Sequence, residues 1–529
     1  MKKTAGIVFR SVILLLLGVT IGLLISDNNF AGHISFDGKD KVSKVLDLVR
    51  HNYVDSVNVD SIEGVTLNGM LQNLDPHSLY LPARQAASIN EKLEGGFNGI
   101  GIEYLLLRDT LLITQAYPGG PAAKAGIVPG DRVIDVDHKN FSGTHLINDR
   151  VNKVFRGEKD SQLLLAVLPA GSKTIKFFNI KRDRVALSSM DAAYMLTPVM
   201  GYIKISKFAS ATDADFRIAL NKLKKQGMQK LVLDIRGNGG GYLNTATALA
   251  DEFLSKKQLI VYTKGVHEPR TDYFSTDSGN FQHGKLAVLI DEYSASASEI
   301  LAGALQDLDR AVIVGRRSFG KGLVQEQFPF GDGSAINLTI ARYYTPSGRS
   351  IQKSYSGGIE NYRNELTERM RKGELFSEES NLKDSAFIKP GNYHTALGRK
   401  VFSGGGIMPD IFVPADTTQG TLLMQQLNSR QLFMAYVVDR MQPELNKYTA
   451  GDDFIKRYTV SDAELGNFIL YVSKTIKQID PHELLISKEN IKSLLKATAA
   501  RFKWGDEAYF KTINANDAVL KKAVESLNR

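Results

Sequence analysis

The sequence contains no cysteine. That excludes a thiolate nucleophile, disulfide staples and cysteine-ligated zinc, but it does not fix the compartment, because exported proteins also fold without disulfides. Histidine is sparse, with 9 in 529 residues, and the HExxH pattern is missing; the nearest run, His482-Glu483-Leu484-Leu485-Ile486, ends in isoleucine. A zinc peptidase is therefore disfavoured. Blocks of basic residues interleaved with aromatics are absent as well. The 66 basic and 57 acidic side chains leave a net charge of +9 spread thinly along the chain, which argues against a nucleic-acid partner. No repeat with a period of about 20 to 50 residues is present. Long apolar runs are missing with one exception, Ser11 to Ile25, which follows Lys2, Lys3 and Arg10. No small-x-small cleavage site follows it, and the positive charge precedes it. The segment is expected to be an uncleaved membrane anchor with the N-terminus in the cytoplasm and everything after Ser26 on the extracytoplasmic, periplasmic side of the cell envelope. A cleaved signal peptide is the alternative, and it places the folded body on the same side.

What is present is an ordinary globular balance, 43% hydrophobic and 23% charged residues, long enough for about three or four domains. Apolar positions at helix spacing around Val42, Val45, Leu46 and Val49 predict a helical region over 27–93, broken at Asp75-Pro76-His77-Ser78. From Gly95 the period shortens to β runs separated by Gly, Pro and Asn, which predicts a compact β-rich domain over 94–184. Strands then alternate with helices over 185–417, an α/β layer architecture, interrupted by a polar insertion at about 353–400. Residues 418–529 read as a helical, charged extension.

Three loops carry candidate chemistry. Tyr293-Ser294-Ala295-Ser296-Ala297-Ser298-Glu299-Ile300 follows an apolar strand and opens a helix, the setting in which backbone amides point at a nucleophile. The bland reading is a small-residue turn with serine as N-cap and Glu299 completing a capping box. Leu231 to Ile235 runs into Arg236-Gly237-Asn238-Gly239-Gly240-Gly241, where missing side chains let amides approach a ligand; a flexible turn is the bland reading. Gly315-Arg316-Arg317-Ser318-Phe319-Gly320-Lys321-Gly322 nearly spells a nucleotide-binding P-loop, but Gly322 stands where a magnesium-binding Ser or Thr is needed. What remains is a lysine among glycines and apolar neighbours, a group that burial could bring into the range of a general base. A serine triad would have to recruit His267 or His283 from a polar stretch, and paired carboxylates for glycoside hydrolysis are not singled out. In the β-rich domain, Gly99-Ile100-Gly101-Ile102 leads into a strand, and Gly119-Gly120-Pro121-Ala122-Ala123-Lys124-Ala125-Gly126 follows. Consecutive amides in such a loop can capture a terminal carboxylate while the peptide adds a strand to the sheet edge.

Taken together, Asp75 to Ser78, the Gly99 to Ile102 and Gly119 to Ile134 stretches, Gly201 to Ile205, Asp234 to Gly241, Ser294 to Ile300, Phe319 to Gly322 and Tyr343 to Arg349 resemble the C-terminal processing peptidases, also called tail-specific proteases. The resemblance covers about residues 40 to 415. It implies a ClpP/crotonase-like α/β peptidase core with an inserted PDZ domain and no metal or other cofactor. Position by position, it makes Ser296 the nucleophile, Lys321 the general base and Gln325 the residue that orients the dyad, with the amides of Ala297 and Gly241 as the oxyanion hole and Gly99, Ile100, Gly101 and Ile102 as the site for a substrate's C-terminus. Ser294 and Ser298 are the competing serines. The implied partners are protein substrates with free C-termini and a membrane, without nucleic acid. A homodimer or an adaptor protein is a further possibility for the charged tail. The rival class is a catalytically silent, membrane-tethered PDZ scaffold, and a nucleotide-dependent enzyme is a third.

Overall fold

The computed structural model describes residues 41–143, 146–377 and 393–529. The chain divides into two compact units, residues 1–71 and 72–529. The apolar run expected to be an anchor and residues 378–392 of the polar insertion lie outside the described residues. Among the described residues no helix is long and apolar enough to cross a membrane.

The first unit holds the helix Lys41–Asn52 and all but the end of Val59–Gln72. The second opens with the predicted break. Asp75 accepts hydrogen bonds from the amides of His77 and Ser78 and from the Ser78 hydroxyl, an Asx turn that ends the helical run. The next residues were expected to return directly to helix. Instead Leu79–Leu81 pairs antiparallel with Ala335 to Asn337 before the helix Ala83–Leu93 begins. A three-residue strand takes its identity from its partner, so local periodicity did not mark it.

The β-rich domain is a five-stranded path through Ile102–Leu107, Thr110–Ala116, Arg132–Val136, Gln162–Leu168 and Lys176–Lys181. A ribbon of Gly96–Gly99 with Asp183–Ala186 joins its two ends. Alternation along these strands sends one set of side chains inward. Leu111, Ile113, Val133, Leu165 and Val167 form that domain's own core. Leu105 and Leu112 face the other way and are buried in a second core with Leu427, Phe433, Tyr436 and Phe468 of the C-terminal helices. Arg501 to Glu103 and Arg108 to Asp439 rim that contact. The β-rich domain is therefore seated on the helical extension by its outer sheet face.

The central sheet runs Met190–Thr197, Met200–Ile205, Lys230–Asp234, Lys285–Ile290, Val312–Gly315 and Ile411–Phe412, antiparallel only at its first pair. Its inner strands read as nearly continuous apolar runs because both faces are covered. On one face Leu231, Leu233, Val288 and Ile313 pack with the helices Thr212–Lys225, Leu243–Asp251 and Ala297–Asp307. On the other, Val232, Ala287, Leu289 and Val314 pack on Val519, Leu520, Ala523 and Leu527 of the last helix, Ala518–Asn528. The far end of the helical extension thus completes the core of the sheet. A second, antiparallel sheet carries Leu323–Pro329 against Ala335–Tyr344.

One ion pair fixes the chain after that hairpin. Arg349 and Asp307 are 0% and 1% exposed and meet at 2.7 Å, with Gln306 Oε1 and the Phe402 carbonyl also accepting from the guanidinium. Replacing one member of a buried pair strands the other charge. Arg349→Met is expected to lower stability by about 3–5 kcal/mol, read as the urea midpoint of the core transition; an unchanged midpoint would contradict this.

Candidate active site

Strands Lys230–Asp234 and Lys285–Ile290 lie side by side and parallel, so the loops that follow them emerge at the same end of the sheet. Asp291 stitches them together, accepting from the amides of Gly237, Tyr293 and Ser294. Asn238, fully buried, does the same from the other loop. Its Oδ1 accepts from Gly240 N, its carbonyl from Ala295 N and the Ser298 hydroxyl, and its amide donates to the Ile205 carbonyl. A Cβ on Gly240 would come within 2.8 Å of the Ala295 carbonyl and 2.9 Å of the Ser296 Cβ, so only glycine lets the two loops approach this closely.

That packing separates the three serines of the turn. The Ser294 hydroxyl is buried and donates to the Ile235 carbonyl, and the buried Ser298 hydroxyl donates to the Asn238 carbonyl. Ser296 instead lines a cavity of about 410 Å³. Its backbone, at φ 56° and ψ −114°, sits in a region that costs a non-glycine residue about 1–3 kcal/mol. The strain presents the side chain at the head of the helix Ala297–Asp307. The amides of Gly241 and Ala297 have no hydrogen-bond acceptor among the described residues. Behind the glycine loop, burial alone would raise the Asp234 carboxyl, but Arg236 and Lys204 overcome it and hold it far below the carboxylate range. Arg236 also reaches Asp517 at 2.7 Å, which anchors the loop to the start of the last helix.

Lys321 lines the same cavity. Burial pulls its amine below the ordinary lysine value, against the opposing pull of Glu299 and Asp75. His77 is on the same side; burial, followed by the charge of Lys321, lowers it to about 3, so it is neutral near pH 7. Gln325 also lines the cavity, where its amide donates to Thr339 Oγ1 at 3.2 Å. The structure therefore brings Ser296, Lys321, Gln325 and Gly241 to one cavity, with Ala297 at its serine turn. Apolar side chains of Ile89, Leu93, Leu243, Ile300 and Leu323 form the rest of the wall. Neither His267 nor His283 is among the residues lining it.

Two contributors to the site were not read as functional from sequence. Glu299, read as a cap residue, does accept from the Ser296 amide at 2.8 Å. The same buried carboxylate also accepts from the Ser318 hydroxyl and from the amides of Gly320 (2.7 Å) and Lys321 (2.9 Å). Burial pushes it up to about 7 in spite of these four donors. Tyr343, also buried, bonds through its hydroxyl to the carbonyls of both Ser296 and Lys321. Its segment Tyr343 to Arg349 was visible as a motif, but no local pattern tells which backbone a tyrosine will bridge.

The four residues expected to receive a C-terminus lie elsewhere, in the β-rich domain. Gly99 is paired with Asp183, and the Ile100 amide donates to the Phe155 carbonyl at 3.2 Å. Gly101, at φ 78°, turns the chain into Ile102–Leu107, which is the edge strand of its sheet. The loop thus begins in a ribbon and delivers the chain to an open strand edge, the place where a peptide can add.

Because burial raises the Glu299 carboxyl, its contribution to stability is full below about pH 4.5 and is lost as pH rises through about 7. The stability difference between wild type and Glu299→Gln should therefore shrink over that window, measured as urea unfolding at a series of pH values. A difference that stays constant with pH would contradict the assignment.

Comparison with known proteins places these features in a family. Peptidase family S41 matches residues 199–361, a PDZ domain matches 112–168, and a family of unknown function matches 423–505. The carboxy-terminal processing protease CtpB of Bacillus subtilis is 36% identical over 327 residues, 61% of this chain and 66% of its own length. The carboxy-terminal-processing protease of Bartonella bacilliformis is 36% identical over 313 residues, 58% of this chain and 71% of its own. A probable CtpA-like serine protease of Staphylococcus aureus is 34% identical over 315 residues, 59% and 62% of the two chains. The chain thus spans about two thirds of the length of these relatives. Among solved structures, the photosystem II D1 C-terminal processing protease is 29% identical, covers 59% of this chain and 89% of its own, and gives a TM-score of 0.33. With 71% of one relative covered at 36% identity, the chain belongs to peptidase family S41, among the carboxy-terminal processing proteases that carry a PDZ domain.

Proposed function

We propose that the chain is a serine endopeptidase that takes a protein by its free C-terminus through the PDZ domain and cuts it with a dyad of Ser296 and Lys321. The observation that carries this reading is the strained Ser296 sharing a cavity with Lys321 and with Gly241, whose amide, like that of Ala297 next to the serine, has no acceptor among the described residues. Neutral Lys321 removes the Ser296 hydroxyl proton as Oγ bonds to the scissile carbonyl carbon. The developing oxyanion accepts from the two amides, which need no rearrangement to reach it. Lys321 then returns the proton to the leaving nitrogen as the C–N bond breaks. Water, deprotonated by the same lysine, releases the acyl group and restores Ser296. Gln325, which lines the same cavity beside Lys321, is the orienting residue of the dyad. The family's C-terminal processing activity, the two-sided α/β sheet of the ClpP/crotonase type and the open PDZ strand edge at Gly101 and Ile102 all support the scheme. No step calls for a metal or another cofactor.

The charge and apolarity of residues 2–25 support a tether to the cytoplasmic membrane with the catalytic body outside. Membrane fractionation of the full chain beside a chain lacking residues 1–26 tests this; equal recovery of both in the soluble fraction would refute it.

The catalytic reading is tested by cleavage of an unfolded protein with an apolar C-terminus. Ser296→Ala and Lys321→Ala are each expected to lose at least about 10⁴-fold in kcat, and amidation of the substrate's C-terminus should raise KM. Because the base must be uncharged, kcat/KM should rise with pH along a limb centred below 10.5, the ordinary lysine value. Equal cleavage by all three proteins would reject the dyad. Binding of the tail without cleavage by the wild type would favour the silent scaffold.

A further inference from the structure

The polar insertion read from sequence at about 353–400 places several charged side chains of its described first part in the interior of the molecule. The helix Ile359–Arg371 carries two buried residues, Tyr362 and Arg369, and Lys353 and Glu374 on either side of it are also less than a tenth exposed. These side chains converge on the backbone that leads into Lys321. Glu374 grips Arg317 with both oxygens, at 2.7 and 2.9 Å, and accepts from Arg369 Nε at 2.9 Å. Arg369 donates in turn to the carbonyls of Arg317 (2.8 Å) and Ser318 (3.2 Å). Glu365 joins Arg317 to Lys353. Phe319, two residues before the lysine, lies against Tyr362, with the Lys353 ammonium 3.9 Å from its ring centre. The Tyr362 hydroxyl is 2.7 Å from His77 Nε2.

We propose that Arg369, Glu374 and Tyr362 of this inserted segment are positioning residues for Lys321: an ionic clamp that holds loop 317–321 in the register at which its lysine meets the serine turn. The inference rests on the dyad proposed above. It reaches beyond the family match, which ends at residue 361, before Tyr362, Glu365, Arg369 and Glu374. The clamp acts on the loop from outside, while Glu299 holds the same loop from inside through Ser318, Gly320 and Lys321. A loop caught between two sets of buried charge-assisted bonds has little freedom to let its lysine turn toward water. A misplacement of about 1 Å at a reacting group can cost about 100-fold in rate, so small motions here are enough to matter.

The groups facing Lys321 are Glu299, Asp75 and His77; Arg369 and Glu374 are not among them, so a change in the lysine's titration on altering Glu374 must pass through loop position, whereas Tyr362 also touches His77 directly. In the full chain, Glu374→Gln is expected to lower kcat by about 10- to 100-fold with KM nearly unchanged. The rising limb of its pH profile should move toward higher pH as Lys321 gains water. Glu374→Asp should restore part of both. Tyr362→Phe, which leaves every buried charge in place but removes the bond to His77, should quicken exchange at the Gly320 and Lys321 amides by less than Glu374→Gln does. A readout that needs no activity accompanies these: hydrogen exchange at the Gly320 and Lys321 amides should quicken in Glu374→Gln while the central strands stay protected. Wild-type kcat per folded molecule, an unmoved pH limb and unchanged exchange at 320–321 would overturn the proposal, as would a loss confined to melting temperature. A wild type that cleaves nothing refutes the peptidase reading, and the exchange comparison still decides whether the clamp holds the loop.

Discussion

A single buried carboxylate, that of Glu299, ties together the two loops on which the site depends. It accepts from the amide of Ser296 in its own helix cap and from Ser318, Gly320 and Lys321 in a loop that arrives a strand later. Burying such a group without partners would be prohibitive, and satisfying it requires both loops at once. The serine turn and the lysine loop cannot then be built separately. Tyr343 repeats the constraint from the other side, joining the carbonyls of the same two residues. The electrostatic consequence is double-edged. Glu299 favours the charged form of Lys321, and burial, the larger effect, opposes it. Lys321 is thus held by its backbone amide to the carboxylate that favours its charge, while burial pulls its amine the other way, below the ordinary lysine value.

Around this pair, each layer of the fold limits movement of the one inside it. The parallel strands bring the glycine loop and the serine turn to one sheet end. Asn238 and Asp291 lock the two loops to each other, and Arg236 ties the glycine loop to Asp517 at the head of the last helix. The helical extension thereby serves two ends of the molecule. Its last helix closes the second face of the catalytic sheet, and its earlier helices bury Leu105 and Leu112 from the PDZ sheet. The PDZ domain is held by its outer face, and Ile102–Leu107 is the edge strand of its sheet.

Much of this was legible in the chain. Apolar runs such as Leu231 to Ile235 and Leu286 to Ile290 mark central parallel strands because both of their faces are covered, and the Gly-rich segment after one of them marks a loop where backbone must approach backbone. Ser296, Lys321 and Gln325, which the family resemblance had grouped, line one cavity. The strand Leu79–Leu81 escaped notice because its reason for being is a partner more than 250 residues away in sequence. The burial of the inserted segment's charges was not legible for a related cause. Arg369, Glu374 and Lys353 look like solvated charge when read one at a time, and only their convergence with Arg317 makes them buried. The multiple duties of Glu299 were hidden likewise: a glutamate three residues after a serine signals a cap, and nothing local signals that a second loop will use its other lone pairs.

The account stands on Lys321 being uncharged beside a reactive Ser296 at ordinary pH. The rate at which a fluorophosphonate labels Ser296, followed from pH 5 to 11 in the intact chain, measures this without any choice of substrate. Labelling confined to Ser296, with a rate that rises through a single midpoint below 10.5, is the predicted result. A midpoint at the ordinary lysine value, or a labelling rate indifferent to pH, would contradict the account.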